Sequence, residues 1–105
     1  MVQQSDMLLG SLCDRRLRVY SPIRVGVYAE NGTFILAALG LDEFGFGENR
    51  SDALTDLQHT IAELYFVLEA KQDRLGQDLC NIWQKLKQMV RRDDPLSREL
   101  LKGDS

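Results

Sequence analysis

Asn31-Gly32 constrains this chain more than any other pair of residues. Both central positions of a type I′ hairpin turn need positive φ, and Asn-Gly supplies that at little steric cost. The turn lies between two runs that alternate in polarity. In the first, Leu17, Val19, Ile23, Val25 and Val27 fall on one side, and Arg18, Tyr20, Arg24 and Tyr28 on the other. Period two with β-branched residues reads as a strand, and Pro22, which has no N–H to give a ladder, moves its effective start beyond itself. A two-residue turn at Asn31-Gly32 then sets the register. Glu30 faces Thr33, Ala29 faces Phe34, Val27 faces Leu36 and Val25 faces Ala38. One face carries Val25, Val27, Ala29, Phe34, Leu36 and Ala38 and has to be covered. The other carries Arg24, Tyr28, Ile35 and Leu39, more apolar than a solvated face needs to be.

Gly40 ends the second strand, and Leu41 to Phe46 reads as a third, with Phe44 and Phe46 expected in the core. Asn49 is a good N-cap, and Asp52 stands where an acid meets the positive end of the helix dipole. A long helix follows, with Ala53, Leu54, Leu57, Ile61, Leu64, Tyr65 and Leu68 on one stripe, the natural cover for the apolar sheet face. Phe66 and Val67 lie off that stripe and imply a second contact. Asp73-Arg74-Leu75-Gly76 interrupts the helix. A second helix is expected from about Leu75 to Arg92 on Leu75, Leu79, Ile82, Leu86 and Met89 or Val90, with Trp83 beside the stripe. Asp93-Asp94-Pro95 ends it, because the residue before proline disfavours the helical region. A short final helix is expected over Pro95 to Leu101.

The predicted architecture is α+β: a three-stranded antiparallel sheet with one long helix on one face and a second, C-terminal helix. A length of 105 residues with 44% hydrophobic content suits one core. Residues 1–16 read as an arm, loose or with one short helix, 17–92 as the domain, and 93–105 as a tail. A net charge of -3 argues weakly against a phosphate backbone as the main partner. No apolar run reaches 18 residues, so no membrane span is expected, and with no basic segment ahead of the short N-terminal apolar patch the expected location is the cytoplasm. Cys13 and Cys80 are then reduced thiols.

Residues able to do chemistry are few. His59 points away from the core stripe and has no paired nucleophile in the pattern. Ser51, Thr55 and Thr60 lack a nucleophile-elbow setting. Asp42, Glu43 and Glu48 cluster at the sheet-to-helix corner without the spacing of a calcium loop. Phe44-Gly45-Phe46-Gly47 contains Gly-x-Gly, but neither the third glycine of a dinucleotide fingerprint nor a Gly-Lys-Ser/Thr follows. The expectation is a protein that is not an enzyme and needs no metal or cofactor. Lys85, Lys87, Arg91 and Arg92, late in the second helix, complement the negative end of its dipole and are the candidates for nucleic acid. Arg15, Arg16 and Arg18 form a second small basic group.

Asn31-Gly32-Thr33-Phe34, then Gly47-Glu48-Asn49-Arg50-Ser51-Asp52-Ala53-Leu54-Thr55-Asp56-Leu57, then Glu63-Leu64-Tyr65 resembles the HicB-like domain of type II toxin–antitoxin antitoxins. The resemblance covers somewhat under half the chain and rests on a turn, a corner, a cap and a stripe. It implies an antitoxin-like, protein-binding module that could neutralise a small, basic RNA-cleaving toxin, to which a mildly acidic surface is suited. Residues 75–105 show no helix-turn-helix spacing, so the resemblance is to a stand-alone member without a clear DNA-binding segment. The partner-binding residues expected from surplus apolar surface are Tyr28, Ile35, Leu39, Phe66 and Trp83, and the same surplus predicts a homodimer. The alternatives are a DNA-associated regulator using Lys85, Lys87, Arg91 and Arg92, and a structural or oligomerisation domain.

Overall fold

A computed structural model describes residues 2–93. In chain order the elements are β1 (Val2–Leu9), β2 (Leu17–Val19), β3 (Ile23–Glu30), β4 (Thr33–Ala38), β5 (Glu43–Gly47), α1 (Arg50–Ala70), α2 (Gln77–Met89) and β6 (Val90–Arg92). The main sheet is antiparallel, ordered β1-β3-β4-β5, and β2 pairs with β6 in a separate two-stranded ribbon. The chain is thus α+β, with four strands in the main sheet rather than three. The added strand is β1, in the segment expected to be an arm or a short helix. Its pattern conceals a strand because its register on β3 shifts between Gln3 and Ser5. That irregularity breaks the period-two alternation which would have marked it.

The hairpin has the expected register, with Val25 opposite Ala38, Val27 opposite Leu36, Ala29 opposite Phe34 and Glu30 opposite Thr33. Asn31 and Gly32 take φ of 51° and 81°, as the tight turn requires. Asn49 Oδ1 accepts a hydrogen bond from Asp52 N at 2.8 Å and opens α1, which then lies across the inner face of the sheet. Val25, Val27 and Leu36 meet Ala53, Leu57, Ile61 and Leu68 in a fully buried layer. Each large side chain buried there contributes roughly 1.5–3 kcal/mol.

Three expectations are corrected. The third strand runs over Glu43–Gly47, and Phe44 and Phe46 are 46% and 54% exposed, not core. Strand residues alternate between faces, and it is Gly45 and Gly47 that turn inward beneath α1. A Cβ at Gly45 would stand 2.6 Å from Leu57 Cβ and closer still to the Ala53 carbonyl oxygen, so no larger side chain fits. The second helix is shorter than its apolar pattern, because Val90–Arg92 leaves it to pair with Leu17–Val19. Leu79, expected on the buried stripe, is exposed, whereas Leu86 and Val90 are buried as expected and Trp83 is buried with them. The short helix expected over residues 95–101 lies outside the described residues. No helix among the described residues is long and apolar enough to cross a membrane.

Candidate functional site

The outer face of the sheet is built from cross-strand rows. Residues directly opposite in an antiparallel ladder share a face, so Gln3, Tyr28, Ile35 and Phe46 form one row. Asp6, Gly26, Ala37 and Phe44 form the next. The half on β1 is polar and the half on β4 and β5 is apolar. Tyr28 lays its ring over Gly26, where a Cβ would come within 3.0 Å of the ring edge. Tyr28 on one side and Phe44 and Phe46 on the other enclose a groove of about 480 Å³ floored by Ile35 and Ala37. A second concavity of about 510 Å³ continues it past Leu39 to Asp78, Ile82 and Lys85 of α2.

The open edge beside this groove is guarded. Phe46 N, on the outer strand of the sheet, donates to Asp56 Oδ2 of α1 at 2.9 Å. A carboxylate on an edge N–H blocks the addition of another strand there. The available surface is therefore the face, not the edge. On the opposite face, in the row with Val25 and Ala38, Glu43 titrates above the usual carboxylate range, chiefly because burial disfavours its charge and secondarily because Asp42 is near.

Of the five residues expected to bind a partner, Tyr28, Ile35 and Leu39 come together on this face, although Ile35 is largely covered by its neighbours. Trp83 does not join them. It is only 4% exposed and packs edge-on against Tyr65 at 5.1 Å, so it is a core residue. Phe66 lies on the helix side, half-buried, with the Arg16 guanidinium 4.2 Å and that of Arg92 5.0 Å from its ring centre. The residues missed are Phe44, Phe46 and Ala37. The Phe-Gly-Phe-Gly alternation could have revealed them, since a helix resting on the strand has to take the glycine side.

The four basic residues expected to act together are dispersed. Lys85 borders the concavity near Leu39, and the Lys87 ammonium is 5.4 Å from the Trp83 ring centre. Arg91 and Arg92 are consecutive on β6 and so point to opposite sides, Arg91 toward Tyr20 and Arg92 onto Glu69 at 2.7–2.9 Å. A smaller concavity of about 120 Å³ lies between α1 and the loop after β1, lined by Cys13, Asp14, Thr55, Gln58 and His59. Its polar groups are engaged locally. Gln58 Nε2 donates to Ser11 O at 3.0 Å, and His59 Nε2 lies 3.0 Å from Glu63 Oε1. Asp14 is held below the usual carboxylate range, first by its side-chain hydrogen bonds with Arg16.

No protein-family model matches the chain, and neither any curated protein nor any solved structure is significantly similar to it.

Proposed function

We propose that this protein is a non-enzymatic binding module that docks a protein partner on the outer face of its sheet. One observation carries the reading: Phe44 and Phe46 stand about half exposed beside the groove over Ile35 and Ala37. Large aromatic side chains left open on a folded surface next to a groove of their own size are the usual anchors of protein interfaces. The partner we favour is a small basic protein of the RNA-cleaving toxin kind, which makes the module antitoxin-like in the HicB manner. That choice is supported by the strand, turn, corner and capped-helix motif and by the net charge of -3. A second copy of the chain is the competing occupant.

The Phe44→Asp, Phe46→Asp double variant tests the reading. Both positions are exposed, so the variant is expected to keep a cooperative melt while losing the partner that the wild type retains in affinity purification from its host. Retention of the same partner by the folded variant refutes the outer face as the docking site. A captured protein that is neither small and basic nor able to degrade RNA refutes the antitoxin-like assignment. Light scattering at tens of micromolar separates the occupants, since only self-association through this face makes the wild type a dimer and the variant a monomer.

A further inference from the structure

We infer that the β2–β6 ribbon, remote in kind from the apolar face, is a second binding surface, for the phosphate backbone of single-stranded nucleic acid. Two basic groups from opposite ends of the chain meet there. The register places Arg18 directly opposite Arg91, and Arg15, Arg16 and Arg92 stand on the same two segments. Like charges directly opposite in a ladder oppose strand pairing. A three-residue ribbon that accepts such a pair is adapted to something other than its own stability. Both guanidinium groups lie by one ring, that of Tyr20, at 5.7 Å for Arg18 and 5.1 Å for Arg91. Tyr20 is 55% exposed, and Arg15, Arg18 and Arg91 are exposed as well.

Charge and residue type select the ligand. Among the described residues of the ribbon and its flanks, five arginines stand against three carboxylates: Asp14 on Arg16, Asp93 at 3.7 Å from Arg18, and Glu69 on Arg92, the last pair on the side away from Tyr20. The ribbon thus has a local positive excess in a chain whose net charge is -3. Every cation is arginine, whose planar fork matches phosphate oxygens two at a time. An exposed aromatic ring between such forks fits a ligand that carries a flat base beside each phosphate. An acidic peptide would engage the forks and leave the ring without a stacking partner. The acidic remainder of the surface keeps the interaction weak and confined to the ribbon.

Fluorescence anisotropy of a labelled oligouridylate of about 12 nucleotides, within the usual site size for such surfaces, tests the inference. The full chain is expected to bind with Kd on the order of 10–100 µM at about 50 mM salt, and roughly tenfold more weakly at about 200 mM, as two or three released counterions require. Arg18→Ala with Arg91→Ala should weaken binding about tenfold and flatten the salt dependence. Both arginines are exposed, so this double variant should keep a cooperative melt. Tyr20→Ala should weaken binding while leaving the salt slope in place. The Phe44→Asp, Phe46→Asp variant should bind the oligonucleotide as the wild type does, which separates this surface from the docking face. No anisotropy change at low salt overturns the inference, as does unchanged binding by the folded arginine variant. Equal competition by a polyglutamate of similar length overturns it in favour of an acidic peptide.

Discussion

Gly45 is the residue on which the relation between sheet and helix most depends. Its hydrogen stands where any Cβ would strike Leu57 and the Ala53 carbonyl. Gly45→Ala is therefore expected to push α1 off β5 and to cost about 3 kcal/mol, measured by chemical denaturation. Phe44→Ala, one position away but on the open side, should cost markedly less. Glu43 has a different signature. Its folded-state pKa is raised by burial and by Asp42, so the native state holds its proton more tightly than the unfolded chain. Stability from this group is present below the unfolded pKa and is lost as pH rises through the folded one. Glu43→Gln should accordingly raise the melting temperature at neutral pH, with the gain disappearing as the solution is acidified to about pH 4, near the ordinary carboxylate pKa. An equal gain at both pH values would count against burial as the cause.

Among the elements, the β3–β4 hairpin and α1 follow from local chemistry. Asn31-Gly32 takes the positive φ values its turn needs, and the cap at Asn49 and the apolar stripe lie where the spacing puts them. β1 and β6 were not legible, for physical reasons. β1 is an edge strand whose register shifts between Gln3 and Ser5, and β6 continues the apolar spacing of α2 until the chain meets β2. In β5 hydrophobicity alone favours burying the phenylalanines, whereas the space beneath α1 admits only glycine. β5 also shows how an edge is closed, by Asp56 on the Phe46 N–H. Asp56→Ala should cost about 1.5–3 kcal/mol, the range for a hydrogen bond to a charged group. It should also increase turbidity on heating, because the freed edge can pair with other chains. A variant that melts as the wild type does and stays clear would remove this role.

At the scale of the whole molecule, the described chain is closed by contacts between its two ends. Leu17 and Val90 are buried in the common core, Tyr20 N donates to Met89 O at 2.7 Å, and Asp93 N donates to Arg16 O at 2.8 Å. The Arg92 fork on Glu69 ties this ribbon to α1, with both side chains partly shielded from water. A double-mutant cycle on Glu69→Ala and Arg92→Ala should give a coupling of about 0.5–1 kcal/mol that shrinks in high salt. Additivity within error would mean the pair does not hold the ribbon. The sequence by itself determined the α+β class, the hairpin register, the helix cap and the stripe that covers the inner face. These depend on residues within a few positions of one another, where backbone sterics and periodicity act alone. Only the tertiary structure decided that Val2–Leu9 is a strand, that Phe44 and Phe46 face outward with Tyr28, and that Arg18 meets Arg91. Each of those outcomes depends on space and partners supplied by another segment, and for the first strand and the Arg18–Arg91 pair local pattern carries no record of either.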